Sequence, residues 1–375
     1  MEYLTDTALF VRQPNEPIAP NQIYDFLFVS TASTAQLVDL THSVITSAVL
    51  LPPDTLRVWE LRLTLLLFEG NLPVAKREAI NLNRLIYLHE NPDAKVNVAQ
   101  NAKPVGGNDQ QPQAGRTNAP QQIYPLPRNN ENGVPYLLLL LLLRLKSTPS
   151  MGMVNECYRV CYQLRLRGQD VEESLLQDQL MQLVYLIVVE LVITKNSLTL
   201  VSYLESLIRT LEDQLAVKKM QKSERYLENV TFALFIARAL VILHQTKNTA
   251  AQDKQFETLA TQFTSENSLA LRTLSFAMNS WAPHVGGPAP APEEKVLETD
   301  LTGSSIIAFL RSGRISTRII CCTLAVWDLD AAFDANLGDE KLQVEVPQGE
   351  DKLDKIYSYV MSQWGDHANR VFCIE

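Results

Sequence analysis

"LRVWELRLTLLLFEGNLPVAKREAINLNRLIYL", residues 56–88, holds two apolar-periodic runs separated by Glu69, Gly70 and Asn71. The first run ends near Phe68. The second begins near Pro73, a residue suited to a first helical turn because it has no N–H to leave unpaired. Two amphipathic helices joined this closely fold back on each other as an antiparallel pair. The preceding "LPPD" (51–54) reads as a stop followed by a start, with Asp54 as the expected N-cap.

Composition extends the helical reading to the whole chain. Leucine is over-used and glycine is sparse, 14 in 375 residues, which favours helices over sheets and turns. Hydrophobic residues at 46% and charged residues at 20% are the balance of an ordinary soluble protein. A net charge of −9 opposes binding to a polyanion, so nucleic acid is not an expected partner. The basic group Lys218, Lys219, Lys222 and Arg225 is interleaved with Glu224 and Glu228 and reads as a solvated turn between helices. Cys157, Cys161, Cys321, Cys322 and Cys373 are odd in number and form no CxxC. Cys157 and Cys161 stand at i, i+4 in an apolar helical pattern, which implies reduced, buried thiols of a cytosolic protein. The first residues, "MEYLTDTALFVRQPNEP", lack the basic and apolar regions of a signal peptide.

The run "VPYLLLLLLLRLK" (134–146) raises the question of a membrane span. Its apolar part makes only about 18 Å of helix, against about 30 Å of bilayer core. A second run, "LVYLIVVELVIT" (183–194), is as short and carries Glu190. Neither is expected to span. A short helix that is apolar all round belongs where other helices cover every side.

Along the chain, 1–21 is an irregular lead-in with Pro14, Pro17 and Pro20, and 22–90 holds N-terminal helices and the first helix pair. Within it, 21–50 reads as two helices broken by a serine/threonine turn near 30–34. Residues 91–133 are rich in Asn, Gln, Pro and Gly and cannot bury enough surface to offset chain entropy, so disorder is expected. Residues 134–281 form a central helical region, 282–299 a proline-rich linker and 300–375 further helical repeats. The expected helices are 135–146, 151–167, 173–195, 198–217, 223–245, 250–264 and 267–280, then 300–312, 315–335 and 353–366, with 339–351 a loop. The expected fold class is all-α.

Several pairs share a register. Trp59 precedes Gly70 by eleven positions and Ala75 follows it by five. That spacing resembles the tetratricopeptide repeat, where a large residue, a small turn residue and an alanine let two helices pack closely. Leu63 replaces the usual small residue of the first helix. "FALFIARALVILHQTKNTAAQDKQFETLATQF" (232–263) fits with Ala239 and Ala251 at the small positions. "SSIIAFLRSGRISTRIICC" (304–322) places Gly313 at the turn. "VYLIVVELVITKNSLTLVSYLESLI" (184–208) keeps the spacing with Leu200 in place of alanine. The expected architecture is an α-solenoid of antiparallel pairs, each stable only when stacked on its neighbours.

Residues for chemistry are scattered. His42, His89, His244, His284 and His367 do not cluster in sequence, and Asp39 with His42 at i, i+3 is no metal site without further ligands. No GxSxG, Walker A, GxGxxG or HExxH is present. Glu205, Glu212 and Asp213 are expected on exposed faces. "DLDAAFDANLGDE" (328–340) lacks the spacing of a calcium loop. Trp59, Trp281, Trp327 and Trp364 read as core or interface anchors. No catalytic, cofactor-binding or metal-ligating residue is expected, no cofactor is implied, and partner-binding residues are not assigned.

Residues 37–82, "LVDLTHSVITSAVLLPPDTLRVWELRLTLLLFEGNLPVAKREAINL", resemble the start of the helical region in subunit 12 of the TRAPP (transport protein particle) vesicle-tethering complexes, in a short fungal-type form. Val38, Asp39, Leu40 and Thr41 fill that family's "VDLT"-type helix, and Trp59, Arg62, Leu63 and Leu65 fill its "LW-x-x-RL-x-L-L" helix. The loop runs through Tyr124-Pro125 to a helix start at Val134-Pro135-Tyr136, as in the family, and the likeness covers about 37–322. The final "WGDHANRVFCIE" has no counterpart. The resemblance implies a non-catalytic scaffold subunit, cytoplasmic and peripherally associated with Golgi or pre-autophagosomal membranes. Its partners would be other TRAPP-type subunits and, indirectly, a Rab-type GTPase whose exchange site lies elsewhere. The alternatives are another solenoid of a coat or tether, such as the epsilon subunit of the COPI coat, and a co-chaperone-like peptide-binding adaptor.

Overall fold

The computed structural model describes residues 2–14, 33–47, 50–92, 134–167, 173–218 and 221–266, with isolated positions at 126, 306–307, 360, 363, 367 and 370–371. About 85% of these residues are helical and none lies in a strand, so the described chain is all-α. The helices expected at 267–280 and 315–335, the loops and linker, and the Trp281, Trp327 and Trp364 anchors fall outside the described residues, as does the side-chain cluster around Lys218–Arg225. Ile306 and Ile307 are helical within the expected 300–312, and Val360 within 353–366. Contacts divide the chain into two compact units, one of Met1–Thr148 with Pro347–Val360 and one of Pro149–Val346 with Met361–Glu375.

The first unit is built around α2. Helix α1 is Thr34–Thr46, α2 is Pro52–Phe68, α3 is Leu72–Glu90 and α4 is Tyr136–Lys146. A capping box starts α1: Ser33 Oγ accepts from the Gln36 N–H, and Gln36 Oε1 accepts from the Ser33 N–H at 2.8 Å. The start of α2 differs from the sequence expectation. Its N-cap is Leu51, with no side-chain cap, and Asp54 lies inside the first turn. Pro52 and Pro53 explain this, because residues without an N–H need no cap there, while Asp54 still complements the helix dipole. From Thr55 to Phe68 every residue except Arg57 is buried, and α2 packs on α1, α3 and α4. Helix α3 turns one stripe inward, Ala75, Ala79, Leu82 and Ile86. The leucine run forms α4 against α2 and α3, burying Leu138, Leu140, Leu141, Leu142, Leu143 and Leu145. At 11 residues it is about 16 Å long, too short for a bilayer.

In the second unit, α5 (Met151–Arg167), α6 (Glu173–Ile193), α7 (Ser197–Lys218), α8 (Gln221–Gln245) and α9 (Thr249–Glu266) each pack against their neighbours in sequence. Helix α6 is buried almost continuously from Leu183 to Val192, and α8 contributes Phe232, Phe235, Ile236 and Ala239. Phe235 meets Phe263 of α9 with ring centroids 4.2 Å apart. Ala239 is fully buried, as its register position requires, but Ala251 is exposed in the first turn of α9 and packs no helix pair. By length and composition two windows here, Leu176–Ile193 and Tyr226–Gln245, are apolar enough to cross a membrane, and 61% of each is buried inside the protein. The 183–194 run is therefore part of a longer helix than its own length suggested.

Two turns share one geometry. After α2, Gly70 takes φ 78°, the Asn71 N–H donates to Leu66 O at 2.9 Å and the Gly70 N–H to Leu67 O at 2.8 Å. This is the Schellman arrangement that satisfies the last carbonyls of a helix. After α6 it recurs with Lys195 at φ 58° and Asn196 donating to Leu191 O at 2.9 Å. An L-residue in this left-handed region costs about 1–2 kcal/mol, more than the chain entropy of glycine. Lys195→Gly is expected to raise stability by about 0.5–1 kcal/mol, and Gly70→Ala to lower it by about 1 kcal/mol, in urea titrations.

Candidate functional site

The first unit gathers its buried polar groups at one place. Residues 2–12, read from sequence as part of an irregular lead-in, form two short 3-10 turns, Glu2–Thr5 and Thr7–Leu9, followed by Phe10 in extended conformation and a bend at Val11 and Arg12. This strap lies on α1, α2 and α3 and buries Leu4, Leu9 and Phe10. Beneath it, Arg62 of α2 meets Glu78 of α3 in a two-pronged ion pair, Nε to Oε2 at 2.7 Å and Nη2 to Oε1 at 2.9 Å. Both side chains are essentially excluded from solvent.

Every donor of this guanidinium is used. Nη1 donates to Val38 O at 2.9 Å and to Thr41 Oγ1 at 3.5 Å, and Nη2 also donates to Arg12 O at 3.1 Å. The Phe10 ring lies 4.8 Å from its central carbon, a cation–π contact. Glu78 Oε1 in turn accepts from the Val11 and Arg12 N–H groups at 3.0 and 3.1 Å. Five N–H donors and both carboxylate oxygens are thus satisfied, the condition under which a buried charge pair is tolerated. Arg12 turns outward, 3.6 Å from Asp39 and in contact with Glu69. Trp59 Nε1 donates to Leu4 O at 3.0 Å, and Phe10 stacks on the Trp59 ring at 4.7 Å.

Asp39 and His42 are brought to this network but make no metal centre. Among the described residues no three His, Cys, Asp or Glu side chains converge on a metal-sized site. His42 packs on Phe10, ring centroids 4.3 Å apart, and its buried Nε2 has no hydrogen-bond partner among the described residues. Burial first, and then the nearby Arg62 cation, hold its pKa below the ordinary imidazole value, with Glu78 and Asp39 pulling the other way. His89 is exposed and stacks on Tyr3, and His244 is exposed at the end of α8. Glu212 and Asp213 lie exposed as expected, and Glu205 also lies at the surface, in an ion pair with Arg238 at 2.9 Å.

The second unit offers surface. Cys157 is a free, buried thiol whose pKa is pushed up to about 12 by burial and by the neighbouring Glu190 carboxylate, which disfavours the thiolate. Cys161 is half-buried and also raised, chiefly by burial. On α5, Met151, Tyr158, Tyr162 and Leu166 form one stripe at spacings of seven, four and four; Met151 Sδ accepts from Asn196 Nδ2 at 3.5 Å, and Tyr162 is 65% exposed. Leu198 of α7 is similarly exposed, and Tyr158 meets Tyr203 of α7 edge to face at 6.2 Å. A groove of about 450 Å³ between α7, α8 and α9 is floored by Leu198, Val201, Val241, Ile242 and Leu259, with Arg238 and Lys254 at its rim.

Comparison with family models, curated proteins and solved structures finds no match.

Sequence reasoning missed the strap and its lock. Arg62 was available as a signal, since an arginine inside an otherwise apolar, fully covered helix must find a carboxylate. Glu78 gave none, because it looks like any charge on an amphipathic helix. Removing one partner strands the other charge: Arg62→Met is expected to cost about 3–5 kcal/mol, with much of it recovered in Arg62→Met/Glu78→Met, measured by urea unfolding. The His42 effect has a definite sign. With a folded-state pKa below the unfolded value, its contribution is intact above about pH 6.5 and is lost as the unfolded chain takes up a proton below that. His42→Gln is expected to flatten the fall in thermal midpoint between pH 7.5 and 5.5.

Proposed function

We propose that this chain is a non-catalytic scaffold subunit of a TRAPP-type tethering complex, working by contacts with other proteins. The observation that carries the reading is the apolar stripe of α5. Scattered apolar residues are normal on a protein surface, but two tyrosines, a methionine and a leucine aligned on one helix face are an interface composition. The rest of the chemistry points the same way. Among the described residues, the buried Arg62–Glu78 pair is saturated by internal partners, which suits a structural role for it.

The finer architecture is part of the proposal. Neighbour-to-neighbour packing from α5 to α9, and the repeated Schellman turns after α2 and α6, suit a tetratricopeptide-like solenoid. Residues 37–82, which carry the family resemblance, fold into α1, α2 and most of α3. On this reading the protein is cytoplasmic and sits on Golgi or autophagic membranes through its complex. The apolar windows of α6 and α8 then serve as core helices.

Affinity purification of the tagged chain from carbonate-washed and unwashed membranes, followed by mass spectrometry, tests this. TRAPP subunits and a Rab-type GTPase are expected with the unwashed material, release into the carbonate wash is expected, and Tyr162→Glu/Leu166→Glu is expected to lose the subunits while keeping its helical circular dichroism. Recovery of coatomer would favour the coat alternative. A lone monomer, or a chain that resists the wash, would overturn the reading.

A further inference from the structure

The strap is held in the manner of a ligand. Its own backbone hydrogen bonds are local, Leu9 N–H to Asp6 O at 3.0 Å and Phe10 N–H to Thr7 O at 3.3 Å. Helix side chains grip its main chain: Trp59 on Leu4 O, Asn81 Nδ2 on Leu9 O at 3.2 Å, Glu78 on the Val11 and Arg12 N–H groups, and Arg62 on Arg12 O. Leu4, Leu9 and Phe10 fill the apolar ground between these anchors. Main-chain recognition plus a few side-chain pockets is also how proteins bind peptide segments from other chains.

The receptor surface also has reason to persist without its occupant. Helix α2 contacts α1, α3 and α4, and α3 contacts α4, independently of the strap. Arg62 and Glu78 still hold each other through two bonds, and Arg62 keeps Val38 O. The polar groups that an empty groove frees, one Glu78 oxygen, one Arg62 N–H, the Trp59 N–H and the Asn81 amide, can be solvated by water. The apolar ground under Leu4, Leu9 and Phe10 is the surface that favours a new occupant.

We propose that α2 and α3 form a peptide-receptor groove, that residues 2–12 are its built-in occupant, and that the same segment from a second copy of the chain can replace it. The occupant's chemistry is a segment of two short 3-10 turns with leucines and a phenylalanine at the spacing of Leu4, Leu9 and Phe10, and with free main-chain groups beyond the phenylalanine. This stands apart from the tethering proposal, which rests on α5.

The test uses the whole chain with a protease site inserted between Pro14 and Asn15. After cleavage, the 1–14 fragment is expected to co-elute with the rest on gel filtration. An excess of fluorescein-labelled peptide of residues 1–14 is expected to exchange in saturably by anisotropy. A Phe10→Ala peptide is expected to bind more than about tenfold weaker, as is the parent peptide to a Glu78→Gln chain. Three outcomes overturn the proposal: a fragment that stays but never exchanges, a fragment that leaves a folded chain unable to bind the peptide, and a chain that melts once the fragment is displaced. Equal binding of the parent and Phe10→Ala peptides overturns it too.

Discussion

The first unit depends on a charge pair sealed away from water. An arginine and a glutamate each lose several kcal/mol of hydration on burial, and only complete hydrogen bonding makes that tolerable. Arg62 and Glu78 achieve it by drawing on α1 through Val38 and Thr41, and on the strap through the backbone of Val11 and Arg12. Leucines can slide past one another at small cost. A guanidinium with five fixed directions cannot, so this pair sets the register of α2 against α3 and the position of the strap over both.

The second unit is organised differently. Its described core is mainly apolar, with Glu190 and Asn229 buried within it, and its helices pack on their sequence neighbours. Lys195 does at the end of α6 what Gly70 does at the end of α2, at a steric cost. In the interior between α8 and α6, Asn229 Nδ2 donates to the Tyr185 hydroxyl at 2.9 Å. At its surface, Tyr158, Tyr162 and Leu166 of α5 meet solvent.

Much of the helical layout was legible in the residues. Helix α5 runs over the span its periodicity gives, and the EGN turn lies where Gly70 puts it, because both signals are local. The start of α2 was misread at Asp54, since Pro52 and Pro53 remove the donors an N-cap would serve. Ala251 was misread because small size alone does not tell a packed alanine from an exposed one. The strap escaped for a deeper reason. Its contacts join residues 4–12 to residues 59–81, and no periodic pattern reports a bond between a side chain and a distant main chain.

That mode of attachment has an evolutionary corollary. A carbonyl or amide is the same in nearly every amino acid, so the grip on Leu4, Leu9, Val11 and Arg12 survives replacement of most neighbouring side chains. The leading segment can drift in spelling while its path stays fixed, provided the two leucines and the aromatic ring are kept. A chain with little letter-by-letter likeness to residues 2–12 can therefore thread the same track.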